Sequence, residues 1–433
     1  MSASIKVTAV AVAVASSRAT AGETVIVAGA GLFLLVFASA YAGAARRMPD
    51  AAGLYAPIAQ GLGRPAGLGA AWLALAAYHS VQAGLYGMTG AAAAPLLDAP
   101  WWAVAGACWL LVTICGQLPV RVAVGLIVLA VLGQIVVTAL RATMDVGGVD
   151  WTVNRSALGA LLLAGVLAFV GFETAAAFGR TGTGGILLLT VIFGALSLGT
   201  GPLPAWAATP AAWVTVAGLA AGALALQLTV VRYLAALGRE HVFPAGLTRP
   251  RVAALTQSVA AGLILGAFVA LRIDPAGGWA ARLGLAGALG VLLLLLGTAL
   301  AALFLLNRRP AGDGLWHRLV APVVAVVGLG TLVWLAAVHH GYLLAAASAP
   351  ILVGLAHALA LRLTQPVVYA GVGLGGRVIV VAPDPAPLEA ARPRAAIGPG
   401  AHRPERVRRR ERGTPARFSE RATVVRRRTP GSG

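Results

Sequence analysis

The sequence predicts an all-α membrane protein with about 11 to 12 transmembrane helices, and three observations carry this prediction. Of the 433 residues, 59% are hydrophobic and only 11% are charged, whereas a soluble domain has about 45–50% and about 25%. The mean hydropathy is +0.85. The apolar residues fall in long runs separated by short polar joints, which is typical of membrane-spanning helices. These features exclude a soluble enzyme, a disordered chain and a disulfide-stapled secreted module.

The apolar runs divide the chain into a short apolar N-terminus (1–22), a transmembrane domain (23–362) and a basic tail (363–433). The run at 185–198 is short, about 21 Å as a helix against roughly 30 Å of hydrocarbon. In chain order, the predicted spans are residues 23–45, 65–88, 101–115, 118–140, 156–178, 185–198, 211–237, 252–271, 279–306, 319–338 and 342–361.

The N-terminus has two interpretations. The apolar run at 7–15 covers only about 14 Å as a helix, too little to cross a bilayer alone. Lys6, this run and the following Ala-Thr-Ala resemble a cleavable signal peptide. The other interpretation, which we favour, is the remnant of a truncated first transmembrane helix. Both interpretations place Glu23 on the outer side of the membrane, so the topology predicted for the rest of the chain is the same.

The placement of arginine predicts the orientation. With the N-terminus inside, the cytoplasmic joints hold twelve Arg residues and the outer joints hold five. Because cytoplasmic joints carry the excess of basic residues in membrane proteins, we expect a multi-pass protein of the plasma membrane with a cytoplasmic C-terminus. From Arg362 onwards there are 15 Arg and 5 acidic residues, a net charge of +10.

The tail is rich in Pro, Gly and Arg, which predicts disorder. Its arginine runs at 406–410 and 426–428 suit electrostatic attraction to anionic lipid headgroups. No aromatic residues interleave with them as stacking on bases requires, so we expect no specific nucleic acid partner. The sequence at 371–376 satisfies the pattern G-x-G-x-x-G, but a strand-like segment follows it where a dinucleotide fingerprint needs a helix. We therefore expect no nucleotide cofactor.

One acidic residue stands apart from the other thirteen, because Glu173 alone lies well inside a predicted span, away from its ends. A carboxylate in the bilayer interior costs several kcal/mol unless it is paired, protonated or hydrated, which makes it a candidate functional group. The adjacent Gly171 permits local unwinding, which a bilayer tolerates only where the freed backbone lines a cavity. The alternative is a Glu that hydrogen-bonds a neighbouring helix and holds the bundle together.

Two further polar residues fall within a span. His79 and Gln82 are three residues apart and so share one helix face. They either face a central cavity and contact a polar solute, or serve as hydrogen bonds between helices. The sequence contains no Ser/His/Asp set, no H-E-x-x-H, no paired carboxylates within the spans and no metal-ligand cluster, so we expect neither an enzyme nor a metal site.

Several stretches together resemble amino acid permeases of the amino acid–polyamine–organocation (APC) superfamily. The joint at 46–56, Arg-Arg-Met-Pro-Asp-Ala-Ala-Gly-Leu-Tyr-Ala, resembles the one after the second helix of these permeases. Residues 61–67 and the pair Tyr86-Gly87 are similar to the segments that come after that joint in the family. Gly171-Phe172-Glu173 matches the sixth-helix signature, and residues 232–240 with Pro244 resemble the end of the eighth helix.

The resemblance implies a five-plus-five inverted repeat of the LeuT type, followed by two C-terminal helices. The first and sixth helices would be unwound at mid-membrane, where they bind the substrate's carboxylate and amino groups. It implies a substrate site formed by Phe169, Val170, Gly171 and Phe172, braced or gated by Glu173 and flanked on the third helix by Tyr78, His79 and Gln82. Two features depart from the family: the glycine-rich first helix is missing, and the joint after the sixth helix is reduced to residues 179–184.

The expected function is a secondary transporter that moves an amino acid or a related amine by alternating access. Proton coupling and exchange are both open. The lipid bilayer and a small-molecule substrate are the expected partners. The alternative is a non-transporting membrane scaffold whose basic tail binds anionic lipid or another polyanion.

Overall fold

The computed structural model describes residues 21–48, 53–144, 158–169, 173, 203–273, 278–308, 314–376, 379–380 and 423–424. By internal contacts the chain divides into two units, Met1–Gly376 and Arg377–Gly433. The described part of the first unit is helical. In the second unit the described residues form one short parallel pair, β1 (Ile379–Val380) and β2 (Thr423–Val424). The helical unit thus continues past residue 362, where the sequence places the start of the tail.

Eleven α-helices occur in the described residues, together with a 3-10 turn at Ala245–Thr248 and a π turn at Trp316–Val320. The helices are α1 (Ala21–Ala45), α2 (Tyr55–Gly61), α3 (Arg64–Leu97), α4 (Trp101–Gly116), α5 (Val120–Met144), α6 (Leu158–Ala168), α7 (Ala205–Arg239), α8 (Pro250–Ala270), α9 (Trp279–Arg308), α10 (Ala321–Thr364) and α11 (Pro366–Gly371).

Five of these helices are long and apolar enough to cross a membrane, and a sixth span is counted if α3 and α4, bent by 117°, are taken together. The five are residues 120–137 of α5, then α7, α8, α9 and the segment Trp316–Thr364. Large apolar side chains cover their outer faces, for example Leu263 at 70% and Trp206 at 72% exposure. Because soluble proteins rarely expose contiguous apolar surface, this exterior fits a lipid environment, and the described part of the first unit is all-helical with membrane-type helices.

The predicted spans and the helices overlap in the described regions, but some of their ends differ. Helix α3 runs nine residues past the predicted end at 88, and α6 ends at Ala168, ten residues before the predicted end at 178. The spans at 319–338 and 342–361 correspond to two helical segments of α10, which meet at a kink where His340 has a non-helical backbone (φ −137°, ψ 37°). Together the two segments comprise 44 residues, about 66 Å of helix, which is enough for two crossings of roughly 30 Å. The predicted N-terminal run at 7–15 and the short span at 185–198 lie outside the described residues.

The centre of the bundle is packed through small residues. A Cβ on Gly287 of α9 would lie 2.6 Å from the Ala77 carbonyl oxygen of α3, and one on Gly354 of α10 would lie 2.5 Å from the Leu68 carbonyl oxygen. Helices that attract each other in lipid do so mainly by close packing, which small residues permit. Helix α3 is therefore held between α9 and α10, and its polar residues face the interior.

The arginine-bearing joints gather at one end of the bundle. The guanidinium of Arg47, which follows α1, donates to the Leu305 carbonyl near the end of α9 at 3.3 Å. Arg308 donates to the Gly61 carbonyl at 3.2 Å, and Arg64 lies over the Tyr369 ring at 5.7 Å. These contacts bring together the joints after α1, α2 and α9 and the end of the helical unit.

Candidate functional site

The sixth-helix motif lies at the end of α6. This helix ends at Ala168, where the Phe169 N–H donates to the Val166 carbonyl at 3.1 Å in a tighter, 3-10-type turn. Phe169 is buried. Val170, Gly171 and Phe172 lie outside the described residues, so their predicted role as substrate ligands remains a prediction. Glu173 has 3-10 geometry, so the regular α-helix has ended before the acidic residue.

The Glu173 side chain is only 3% exposed. Its carboxyl lies within electrostatic range of the hydroxyls of Tyr78 on α3 and Tyr233 on α7. Removing a carboxylate from water costs several kcal/mol unless charge or hydrogen-bonding groups surround it. The structure therefore places the predicted acid and the predicted Tyr78 together, and it adds Tyr233 as a third group from a third helix.

Tyr233 occupies the centre of a cluster of three buried tyrosines. Its ring meets the Tyr78 ring edge-on at a centroid distance of 5.7 Å, and the Tyr55 ring at 5.8 Å. Its hydroxyl accepts a hydrogen bond from the Leu54 N–H at 2.8 Å. Gly53 makes this contact possible, since it has a φ of +82° and a Cβ there would lie 2.2 Å from Tyr233 Cζ.

Gly53, Tyr55 and Tyr233 belong to the motifs that resemble the permeases, but the sequence did not assign them to the site. A buried tyrosine in an apolar span resembles any other packing residue in sequence. The sequence does contain one indication of this cluster, the Gly-Leu-Tyr run that leads into α2. Gly53 in this joint has a positive φ, which glycine adopts most readily.

His79 is placed differently from its neighbour Tyr78. Its Nδ1 lies 2.7 Å from the Leu75 carbonyl oxygen of its own helix, and its Nε2 has no hydrogen-bond partner in the part of the chain that the structure describes. The imidazole is therefore held by the preceding turn of α3. Side chains of successive residues on a helix project about 100° apart. His79 therefore projects in a different direction from Tyr78 and its tyrosine partners.

Gln82 belongs to a second polar group, the glutamine cluster, formed by Gln82, Gln227, Gln257 and Ser258 from α3, α7 and α8. The Gln82 amide donates to Tyr86 Oη at 3.0 Å, to the Ala223 carbonyl at 3.1 Å and, more weakly, to Gln227 Oε1 at 3.3 Å. It accepts from Gln257 Nε2 at 2.6 Å. Gln227 in turn donates to Ser258 Oγ at 2.8 Å and to the Ala254 carbonyl at 3.1 Å.

The glutamine cluster links helices α3, α7 and α8 by side-chain hydrogen bonds. Both the donors and the acceptor of the Gln82 amide are engaged by protein groups, which favours the interhelical role over contact with a solute in this conformation. Gln227 and Gln257 were not singled out from the sequence, although each is a polar residue within a predicted span, as Gln82 is. Their pairing depends on which helices are neighbours, and spacing along one helix does not reveal this.

A second buried acid lies at the arginine-bearing end. Glu240 follows α7 and accepts hydrogen bonds from the N–H groups of Gly373 (3.1 Å, to Oε2) and Gly375 (2.8 Å, to Oε1). The Tyr55 hydroxyl and the Arg239 side chain also act on it. Burial raises the pKa of Glu240 above its ordinary value, against the opposing effect of these donors. The pKa of Tyr55 is raised as well, first by burial and then by Glu240.

A small cavity lies towards the opposite end of the bundle, between α3, α4, α8 and α9. Its volume of about 10 Å³ is the room for about one water molecule, and its walls are apolar. Its lining residues are Ala83, Gly87, Trp101, Leu265, Phe268, Ile273, Ala280 and Leu283. Across the described ranges, no three His, Cys, Asp or Glu side chains come together as a metal site would require.

No protein-family model and no curated protein matches this chain. The candidate site therefore rests on its own geometry. It consists of Glu173 beyond the end of α6, within electrostatic range of the tyrosines of α3 and α7 inside an apolar bundle.

Proposed function

We propose that this protein is a secondary transporter of the APC type that moves an amino acid or a related amine by alternating access. The proposal includes the finer architecture of 11 to 12 spans in a five-plus-five inverted repeat with two C-terminal helices. It also includes a location in the plasma membrane. The observation that carries the proposal is the buried Glu173 carboxyl beyond the end of α6, within electrostatic range of two tyrosines from other helices.

The chemistry of this arrangement suits an ammonium group. The last carbonyls of a helix carry a partial negative charge, and α6 ends at Ala168, five residues before the carboxyl. A carboxylate and a helix C-terminus near one another produce a negative potential, which is strong where the dielectric is low. The tyrosine hydroxyls supply neutral donors and acceptors beside it, as recognition of a zwitterion requires.

The orientation of the proposed transporter draws support from the arginine contacts. The joints that bear Arg47, Arg64 and Arg308 meet at one end of the bundle, and the Glu240 segment lies there as well. Because basic joints face the cytoplasm, we assign this end to the cytoplasmic side. The tail beyond Gly376 then lies in the cytoplasm, where anionic headgroups attract its arginines.

The test is counterflow in proteoliposomes with a panel of radiolabelled amino acids and amines. We expect uptake of at least one member, and we expect Glu173→Gln to reduce that uptake at least tenfold. Thr298→Val is the matched control, because Thr298 is also buried, in α9, but its hydroxyl bonds only the Leu294 carbonyl of its own helix, at 2.7 Å. The control variant should retain most of the uptake.

Two outcomes would contradict the proposal. One is the absence of counterflow with every member of the panel from monodisperse, reconstituted protein, a result that favours a non-transporting scaffold. The other is equal uptake by Glu173→Gln and the wild type, which would leave the carboxyl without a role in transport. Removal of residues 377–433 should leave counterflow intact, whereas a scaffold would lose its binding to anionic vesicles.

A further inference from the structure

Residues 365–376, which we name the C-terminal strap, connect the last helix to two other parts of the bundle. The strap consists of α11 and the glycine loop after it. Its loop contacts Glu240 at the end of α7 through the two N–H groups already described. It contacts α2 through Gln60, whose side-chain amide donates to the Gly373 carbonyl at 2.9 Å.

The glycine pattern of the strap is explained by these contacts. Gly373, Gly375 and Gly376 all have positive φ values, of +78°, +69° and +82°, which turn successive N–H groups towards one point. A loop of this kind forms a concave site for an anion, and here the anion is the protein's own Glu240 carboxylate. A Cβ on Gly373 would lie 2.6 Å from the Ala59 Cβ of α2, so the loop also needs glycine for its close approach.

The strap is held by polar contacts and by a few apolar ones. Val372 is buried at 2% exposure and Val368 and Tyr369 pack partly buried against the core, while Val367 on α11 is 78% exposed. The polar contacts are the Glu240 and Gln60 hydrogen bonds and the Arg64–Tyr369 contact. Because Val372 is the one fully buried apolar side chain of residues 365–376, the strap buries far less apolar surface than a packed helix and detaches more easily.

We propose that the C-terminal strap is a releasable fastener that holds the arginine-bearing end of the bundle closed, with Glu240 and Gln60 as its two anchoring side chains. The strap joins α2, α7 and α10, which are far apart in sequence, so opening the bundle at this end requires the strap to detach. The role in transport rests on the proposed function. The docking and release of the strap do not.

The experiment measures release by cysteine labelling. Cys115 is replaced by Ala, Val372→Cys is introduced as the reporter, and the buried native Cys108 is kept to reveal global unfolding. A polyethylene glycol maleimide then gives one gel shift when the strap detaches and two when the bundle unfolds. The reporter should label slowly in the otherwise native chain, and more slowly than a Val367→Cys reference.

Gly373→Ala should speed reporter labelling about tenfold without a second shift. Tenfold corresponds to roughly 1.4 kcal/mol, which lies within the cost of placing an alanine in the left-handed region. Gly371→Ala is the matched control, because Gly371 lies in the same strap with no positive φ and nothing within 4 Å of its Cβ position. It should label at the native rate. Glu240→Ala is a second route to release.

Three results would overturn the proposal. The first is native-like labelling of the reporter in both Gly373→Ala and Glu240→Ala. The second is a reporter that labels as fast as the Val367→Cys reference before any further change, since the strap would then not be docked. The third is counterflow that is unchanged by Gly373→Ala although labelling is faster, which would remove the role in closure. Wild-type protein without any counterflow contradicts the proposed function, and the labelling still decides whether the strap is releasable.

Discussion

The hydroxyl of Tyr233 offers a stability test in which the magnitude follows from one hydrogen bond. Tyr233→Phe removes the acceptor of the Leu54 N–H, which lies 2.8 Å from the hydroxyl in a buried site. Leu54 precedes the first turn of α2, and N–H groups at the start of a helix have no partner within it. The N–H is therefore left buried and unbonded, at a cost of about 1–3 kcal/mol.

Tyr86→Phe is a matched control for this substitution. Tyr86 is as fully buried as Tyr233, and its hydroxyl also accepts one hydrogen bond, from Gln82 Nε2 at 3.0 Å. That donor retains other acceptors, the Ala223 carbonyl and Gln227 Oε1. We expect a cost near 0.6 kcal/mol, about the average for side-chain hydrogen bonds in a membrane bundle.

The assay is equilibrium unfolding of the detergent-solubilised protein by titration with sodium dodecyl sulfate, followed by tryptophan fluorescence. We expect Tyr233→Phe to lower the free energy of unfolding by at least twice as much as Tyr86→Phe. Equal effects of the two substitutions would refute the reasoning, because the Leu54 N–H would then have found another partner. A neutral Tyr233→Phe would refute it as well.

Two further predictions concern Glu240 and Gly53. Burial raises the pKa of Glu240 above its value in the unfolded chain, so the folded bundle binds this proton more tightly, and the resulting stabilisation is present below about pH 4.5 and is lost as pH rises through the raised value. The free energy of unfolding in the same titration should therefore fall as pH rises through this range, and Glu240→Gln should flatten the dependence; a native free energy of unfolding that does not change with pH there would contradict the sign. In the same unfolding titration, Gly53→Ala should destabilise the bundle by several kcal/mol more than the control Gly278→Ala. Both glycines have a φ near +82°, but only a Cβ on Gly53 would collide with a ring, that of Tyr233. Equal losses of stability would show that backbone strain alone matters.

The positions of the helices were predictable from the hydropathy pattern, whereas some of their ends were not. The two spans predicted at 319–338 and 342–361 are present as two helical segments that meet at a kink at His340. The span predicted at 156–178 is shorter as a regular helix, because α6 ends at Ala168. Hydropathy identifies an apolar run, but it does not show where the backbone within that run leaves the helical conformation.

The candidate site was predictable one helix at a time. A carboxylate in an apolar run is conspicuous because its burial is costly, which singles out Glu173, and the resemblance to permeases pointed to Tyr78. Tyr233 and Gln227 were not found, since the partner of a buried polar group is set by helix packing between distant segments. The same limit applies to Glu240, whose carboxyl meets a loop more than a hundred residues away in the chain.

The glycine loop shows how a motif takes its meaning from its surroundings. The pattern G-x-G-x-x-G follows helix α11 in the structure and not a strand. Its positive φ values and converging N–H groups match those of an anion-binding loop, and an internal carboxylate takes the place of the phosphate. The sequence showed the pattern, while the identity of the anion depended on the fold.

The accessibility of position 173 tests the central proposal most directly. In a chain lacking Cys108 and Cys115, Glu173→Cys is reconstituted and exposed to 2-aminoethyl methanethiosulfonate, a small thiol reagent that carries an ammonium group. We expect this cysteine to react, because the proposed transport brings an amine to this side chain, while Thr298→Cys in the packed core of α9 should not react. A cysteine at position 173 that is as unreactive as the one at position 298 would contradict the proposal.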